Sequence, residues 1–309
     1  MVEISLIVPV YKEEANIRPF LTRAEKVFES MGKRYEIIFS LDPSPDRTEE
    51  VIFEEINRNP NIKLLVFSRR FGQPAATMAG ILSCTGETCV VIDVDLQDQP
   101  ELIEQMYRML GEGFEVVYAK RRTRKGETTF KRVISYLGYA LINRLSDVQI
   151  PRNTGDFRIM TRRVIEELRR LNESHGFLRG LVAYVGFKQT YIEYDRDERF
   201  SGKGNYSRLL GSLKIGLNGL ISFSIKPLQI LSIIGAGIAL ISFITGAFIL
   251  VTKLAGHDYV EGFPTLALLV SFLSGMQLAG LGLIGEYIAR IYDEVKRRPM
   301  YIIDKSINF

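Results

Sequence analysis

Residues 89–98 read Cys-Val-Val-Ile-Asp-Val-Asp-Leu-Gln-Asp. An apolar run rich in Val and Ile ends in closely spaced aspartates, which predicts a buried strand, Cys89 to Asp93, delivering carboxylates at its carboxyl end. Working outward, Ile4 to Val10, Tyr35 to Leu41, Ile62 to Phe67 and Glu115 to Ala119 carry the same strand pattern. Between them Glu14 to Ser30, Thr48 to Asn57, Pro74 to Ser83 and Pro100 to Gly111 have helical length and period. Strands alternating with helices predict an α/β fold, a mostly parallel sheet with helices on both faces. Ligands of such sheets settle at the carboxyl ends of the strands. Three polar turns, Tyr11 to Glu14, Asp42 to Asp46 and Asp93 to Asp98, are therefore expected to meet in one crevice.

The chemistry of that crevice is narrowed by what is missing. Neither GxGxxG after the first strand nor GxxxxGK[ST] occurs, so dinucleotide oxidoreductases and P-loop NTPases lose their main support. Asp93 and Asp95 leave the strand on the same side. Two carboxylates so close repel unless a cation joins them, and hard oxygen ligands select Mg2+ or Mn2+, which would in turn bridge a diphosphate. The same residues also make an ordinary turn and helix cap ahead of Pro100, and the pattern alone leaves both readings open. Two cysteines, Cys84 and Cys89, and two histidines, His175 and His257, cannot assemble a disulfide framework or a zinc site. The formal charge of +4 comes from 40 basic and 36 acidic residues without a block of like charge, which argues against nucleic acid as a partner.

Towards the other end, Leu228 to Thr252 is 25 residues without a charge and Phe263 to Gly285 is 23. Each exceeds the roughly 20 residues that cross a bilayer as a helix, which predicts a two-helix transmembrane hairpin. Lys226 precedes the first run, and Arg290, Lys296, Arg297 and Arg298 follow the second, so the positive-inside rule places both flanks and the large front part in the cytosol. No secretory signal precedes Ile4 to Val10, in keeping with that expectation. The expected location is the inner (cytoplasmic) membrane, multi-pass, with the front part on the cytosolic face. Small residues recur four apart at Gly235 and Ala239, Ser242 and Gly246, and Ser271 and Gly275, a spacing that suits packing within one hairpin or a homo-oligomer.

Several stretches resemble, in order, the motifs of family 2 glycosyltransferases: Val8-Pro9-Val10-Tyr11-Lys12-Glu13-Glu14, the Asp42 to Asp46 turn, Asp93-Val94-Asp95-Leu96-Gln97-Asp98, and Gly155-Asp156-Phe157-Arg158. Glu198 to Lys203, Ser222 to Pro227 and the two-helix tail resemble the polyisoprenyl-phosphate branch, which includes dolichyl-phosphate mannose synthases and GtrB-type bacterial glucosyltransferases. The resemblance implies a GT-A fold, a nucleotide-sugar donor (UDP-glucose preferred, GDP-mannose the alternative) and a polyprenyl phosphate acceptor. Carried over by position, Pro9, Tyr11, Glu13 and Asp42 line the nucleotide, while Asp93, Asp95 and Gln97 hold metal and diphosphate. A dianionic lipid head beside a diphosphate demands cations, which the chain supplies at Arg121, Arg122, Arg124, Lys125, Lys131, Arg132, Arg199 and Lys203. Of these the resemblance implies Arg121, Arg132 and Arg199, with Ser135, as phosphate ligands, and Asp156, Asp95 and Arg199 are the implied catalytic positions. Where the family commonly has Asp-Asp-Gly-Ser, this chain has Leu41-Asp42-Pro43-Ser44, one carboxylate fewer.

A lipid monophosphate is mostly dianionic at pH 7, since its second pKa is about 6. A general base is therefore less necessary than for a hydroxyl acceptor, and Asp156 is expected to orient the acceptor or the sugar instead of taking a proton, or else simply to pair with Arg158; base and positioning roles both stay open here. An inverting single displacement is expected. Ser201 to Asn205 reads as a mobile loop, and Tyr206 to Phe223 as an interfacial amphipathic helix. Tyr136 to Ile142 is a second apolar stretch. The expected organisation is thus a catalytic domain over 1–202, an interfacial region over 203–226, two spans within 227–289 and a tail over 290–309. A processive polysaccharide synthase would need Gln-x-x-Arg-Trp, and the chain has no tryptophan. An inactive membrane scaffold is the rival of another class, disfavoured by the intact aspartates.

Overall fold

The computed structural model describes residues 1–122, 154–171, 178–197, 224–255 and 262–309. Strand β1 (Ile4–Val10) is buried at all seven positions. Only a strand with neighbours on both edges and helices on both faces is enclosed in this way. Its neighbours are β2 (Tyr35–Leu41) and β4 (Thr88–Val91), both parallel to it, and β3 (Ile62–Phe67) lies parallel beyond β2. The four strands β3-β2-β1-β4 are the parallel core expected from the alternating pattern.

Beyond β4 the sheet departs from that pattern. Strand β6 (Thr154–Thr161) runs antiparallel between β4 and β5 (Val116–Arg121), and β7 (Gln189–Tyr194) lies parallel to β5. At the opposite edge β8 (Ile303–Ile307) runs antiparallel to β3, completing the order β7-β5-β6-β4-β1-β2-β3-β8. Residues 290–309, expected to be a tail, divide between the end of a long helix and this edge strand. It is held by Lys305 against Glu49 at 2.9 Å and by Asn308 Nδ2 donating to the Pro60 and Ile62 carbonyls, each at 2.7 Å. So short and half-polar a strand has no local signal, because its pairing lies 240 residues away in sequence.

Helices α1 (Glu14–Met31), α2 (Thr48–Ile56), α3 (Gln73–Ser83) and α4 (Leu102–Gly111) connect the parallel strands, and α5 (Arg162–Arg170) and α6 (Leu178–Val185) follow β6. Their apolar stripes close the core around Phe20, Phe28, Phe39 and Phe157, all essentially inaccessible. Helix α3 presses onto the sheet at Gly80, where a Cβ would stand 2.2 Å from Ile7 Cγ2 and 3.0 Å from Ser40 Oγ. Overpacking of this kind costs about 1–3 kcal/mol. Gly80→Ala is therefore expected to lower the thermal unfolding midpoint of the purified protein, while Gly111→Ala, which meets no atom within 4 Å, leaves it nearly unchanged.

The chain divides into two units, the first comprising the sheet and its helices, with the described residues of 298–309 among them. The second contains α7 (Lys226–Leu254) and α8 (Phe263–Lys296). In it Tyr287 Oη donates to the Ser224 carbonyl at 2.7 Å, and Gly280 lets Leu231 approach, a Cβ there lying 3.4 Å from Leu231 Cδ2. Both helices are long and apolar enough to cross a membrane, with large apolar side chains such as Ile233, Phe243 and Leu278 exposed. Such a surface is stable in lipid and not in water.

Candidate active site at the carboxyl ends of the parallel strands

Strands β1, β2 and β4 end on one side of the sheet, and the polar turns that follow them line a single cleft. Pro9, Tyr11, Glu13, Asp42, Asp93 and Asp95 border it, together with Arg70, Gly72 and Gln73. Of the anticipated site residues, these six line the cleft. Gln97 belongs to the acidic turn and Arg121 stands beside it, 3.8 Å from Asp98, and neither lines the cleft. Arg132, Ser135, Arg199 and Lys203 lie outside the described residues, as do Arg124, Lys125 and Lys131, the stretch 136–142, the loop 201–205 and the helix expected over 206–223.

The nucleotide side is organised around Asp42. Its carboxylate accepts the Phe71 N–H at 2.8 Å on one oxygen and the Gly72 N–H at 2.9 Å on the other. Asp42 is buried, so these bonds fix the loop after β3. That loop lays the Arg70 guanidinium over the Tyr11 ring at 4.0 Å and lets Gln73 Nε2 donate to Asp93 Oδ1 at 2.8 Å. The Arg69-Arg70 pair stands just past the end of β3, after Ser68, a position legible in the sequence. Asp46 closes the turn ahead of α2: its Oδ1 accepts from Thr48 Oγ1 at 2.8 Å and from Thr48 N–H at 3.4 Å.

The acidic turn is tight. Leu96 adopts a left-handed conformation with φ of 60°, and Asp95 Oδ1 accepts the Gln97 N–H at 3.1 Å. Asp98 accepts from the Tyr194 hydroxyl and, at 3.2 Å, from Arg196 Nε, while Arg196 also stands 3.8 Å from Asp95. Strand β6 brings a fourth carboxylate. Arg158 pairs with Val91 across the antiparallel ladder, so Asp156, two residues earlier, comes level with Asp93, two residues later. Arg179 Nε on α6 donates to Asp156 Oδ1 at 2.9 Å, and Arg158 stands 3.8 Å away. Sequence reading named Arg158 as the partner and missed Arg179, which no local spacing ties to Asp156.

The two facing aspartates are driven apart electrostatically. Burial, and then the negative charges of Asp156, Asp98 and Asp95, push the Asp93 carboxyl up to about 8. Burial also acts upward on Asp156, but Arg179 and Arg158 outweigh it and hold this carboxyl below the usual range. Burial brings Arg158 down to about 10, still a cation at neutral pH.

Among the described residues no three His, Cys, Asp or Glu side chains form a ready-made metal cage. Mg2+ and Mn2+ do not require one, since such ions are commonly bound by one or two carboxylates plus the substrate's phosphates. The two carboxylates of Asp93 and Asp95 at the cleft, and the excess of negative charge that raises Asp93, fit a divalent cation at this turn, whereas Asp98 Oδ2 is already faced by Arg121 at 3.8 Å.

A mixed sheet with β6 reversed beside β4, and an acidic turn at the carboxyl end of β4, define the GT-A class of nucleotide-sugar transferases. In the crystal structure of glucosyl-3-phosphoglycerate synthase from Mycobacterium tuberculosis with Mn2+, UDP and glucosyl-3-phosphoglycerate, the same fold recurs, with a TM-score of 0.50 over 71% of this chain and 78% of that one at 18% identity. Residues 5–169 match Glycosyl transferase family 2. Glycosyltransferase YkcC of Bacillus subtilis is 44% identical over 99% of this chain and 94% of its own. The bactoprenol glucosyl transferase of Shigella phage SfII is 39% identical over 98% of each chain, and the prophage homolog of Escherichia coli K12 is 38% identical over 98% of this chain and 99% of its own. This chain belongs to glycosyl transferase family 2.

Proposed function

We propose that this protein is a membrane-anchored transferase that moves glucose from UDP-glucose to a polyprenyl phosphate. The observation that carries the reading is a cation-suited acidic turn on a nucleotide-type cleft, in a chain that matches bactoprenol glucosyl transferases along nearly its whole length. Two apolar helices supply the anchor a lipid substrate calls for.

When bound at Asp93 and Asp95, a divalent cation, Mg2+ or Mn2+, supplies Lewis-acid stabilisation of the departing diphosphate. Tyr11, Arg70 and the loop held by Asp42 receive the nucleoside end of the donor. Asp156 is already ionised and doubly faced by guanidinium groups, so it makes a poor proton acceptor. Its carboxylate orients the sugar and answers the positive charge that develops at the anomeric carbon. An oxygen of the acceptor phosphate forms the new bond to that carbon as the bond to the diphosphate breaks, and the electron pair leaves with UDP. No proton needs to move, and the single displacement inverts the anomeric configuration.

Both flanks of the helix pair lie on one side of the membrane in this reading. The basic residues Lys226, Arg290 and Lys296 to Arg298 favour the cytoplasmic side, and pairing of β8, after α8, with β3 of the first unit supports an even number of crossings. The catalytic unit then faces the cytoplasm.

The direct test offers UDP-[14C]glucose and undecaprenyl phosphate to purified full-length protein with Mn2+. Label should enter an organic-extractable lipid as the β-linked sugar. Transfer from GDP-mannose in its place would reassign the donor, and retained configuration would reject the single displacement.

A pH dependence follows from Asp93. Its folded pKa lies above the unfolded value, so between 3.8 and about 8 the folded protein keeps a proton that the unfolded chain has released. In the cation-free protein this contribution to stability declines as pH rises through that window. A cation must displace the same proton. Mn2+ affinity is expected to climb about tenfold per pH unit from pH 6 to pH 8 and then level off. The intensity of the free Mn2+ signal in electron paramagnetic resonance checks this, and an affinity flat across the range would contradict it.

A further inference from the structure

The acidic turn already holds a cation of its own. Arg196, just past the end of β7, spans two of its carboxylates: Nε donates to Asp98 Oδ1 at 3.2 Å and a terminal nitrogen lies 3.8 Å from Asp95 Oδ2. Its backbone is pinned beside that turn. The Asp197 N–H donates to the Gln97 carbonyl at 3.1 Å, Gln97 Nε2 donates back to the Asp197 carbonyl at 3.3 Å, and Gln99 Nε2 donates to Asp197 Oδ2 at 2.9 Å. The two contacts of the guanidinium are unequal. The one to Asp98 is a hydrogen bond to a carboxylate that is 1% exposed and also held by Tyr194. The one to Asp95 is a longer ion pair at the cleft, in a side chain that retains 26% exposure.

We infer that Arg196 is an internal counter-cation that a divalent metal ion displaces from Asp95, and that its released end then receives the donor's diphosphate. The inference rests on the proposed metal site at Asp93 and Asp95. A doubly charged ion on Asp95 would stand within a few ångströms of the guanidinium and repel it. Because the Nε bond to Asp98 is independent of Asp95, the side chain turns about that anchor while the pinned backbone stays in place. The diphosphate arriving with the metal is the nearest anion able to accept the freed N–H groups, in the forked geometry that guanidinium offers phosphates. Before the metal arrives, Arg196 limits repulsion among the aspartates. Afterwards it adds a positive charge beside the leaving group.

This role makes a prediction of opposite signs. In Arg196→Gln the competing charge is gone, so Mn2+ alone binds about ten times more tightly. UDP in the presence of saturating Mn2+ binds about ten times more weakly, since one charge-assisted contact is lost. Both affinities are read by calorimetry on the full-length protein in detergent. A residue that only supports the fold would move both in the same direction, and that result, or unchanged Mn2+ affinity, overturns the inference. Arg196→Lys provides the same comparison should the glutamine variant fail to fold. An ammonium group reaches one carboxylate at a time, so the signs stay opposite and the sizes shrink to about threefold. Asp95→Asn separates the two hypotheses: if it binds Mn2+ like the wild type, the metal site itself is wrong; if it fails to bind while Arg196→Gln binds no tighter, only the role of Arg196 is rejected.

Discussion

Asp95→Asn is expected to reduce glucosyl transfer by about a thousandfold or more, the size of loss typical when a group stabilising transition-state charge is removed. The substitution keeps the shape of the side chain. Its amide oxygen still accepts the Gln97 N–H that closes the turn, so the fold of the turn survives. What goes is one of the two negative charges offered to the cation, and with it the counterpart of the charge accumulating on the diphosphate. A matched control is available two strands earlier in the chain. Asp46 is also an aspartate in a turn after a strand, but it bonds to Thr48 at the start of α2. Asp46→Asn should cost at most about 1 kcal/mol of stability and leave transfer within a few-fold of wild type. Initial rates with labelled UDP-glucose compare the two, and an active Asp95→Asn enzyme would remove the acidic turn from the mechanism.

Asp156→Asn is the second large effect, a fall in kcat of about a hundred- to a thousandfold. Donor KM should change by less than about threefold, because the carboxylate is assigned to charge that appears only in the transition state. The variant should remain folded. Arg158 keeps its hydrogen bonds to the Gly155 carbonyl at 3.1 Å and the Asp156 carbonyl at 3.2 Å, so its buried guanidinium is not left without acceptors. The pH profile separates an orienting carboxylate from a base. Arg179 and Arg158 hold Asp156 below the ordinary carboxylate range against the upward pull of burial, so it is ionised throughout the working range. Its ionisation is lost only as pH falls through that depressed value. The rate should therefore show no rise between pH 5 and 8 that disappears on substitution of Asp156 alone. A titration in that window abolished by Asp156→Asn would make it a general base.

The parallel half of the sheet was readable because its signals are local. Ile4–Val10, Tyr35–Leu41 and Ile62–Phe67 are strands as expected, and helix starts at Glu14 and Thr48 agree as well. The strand expected over Cys89 to Asp93 forms as Thr88–Val91, releasing Asp93 into the turn. Reversal of β6 and the return of β8 were not readable, since both depend on pairing between segments far apart in the chain. Arg179 and Arg196 escaped notice for the same reason. Each lies outside the alternating pattern, and neither stands near in sequence to the aspartates it faces, Asp156 for Arg179 and Asp98 and Asp95 for Arg196.

Spacing of apolar residues is enough to specify strands, helices and two uncharged helical runs, because burial repeats with the geometry of the local backbone. The ionisation of each aspartate is not of that kind. Asp93 and Asp156 begin with the same chemistry and face each other, yet one is driven up to about 8 and the other held below its ordinary value. The difference lies in the neighbours: Asp156 on β6 joins Asp98 and Asp95 of the turn itself around one side chain, while Arg179 on α6 and Arg158 on β6 face the other. Charge interactions depend on distance through space, and those distances exist only once the strands have been laid side by side.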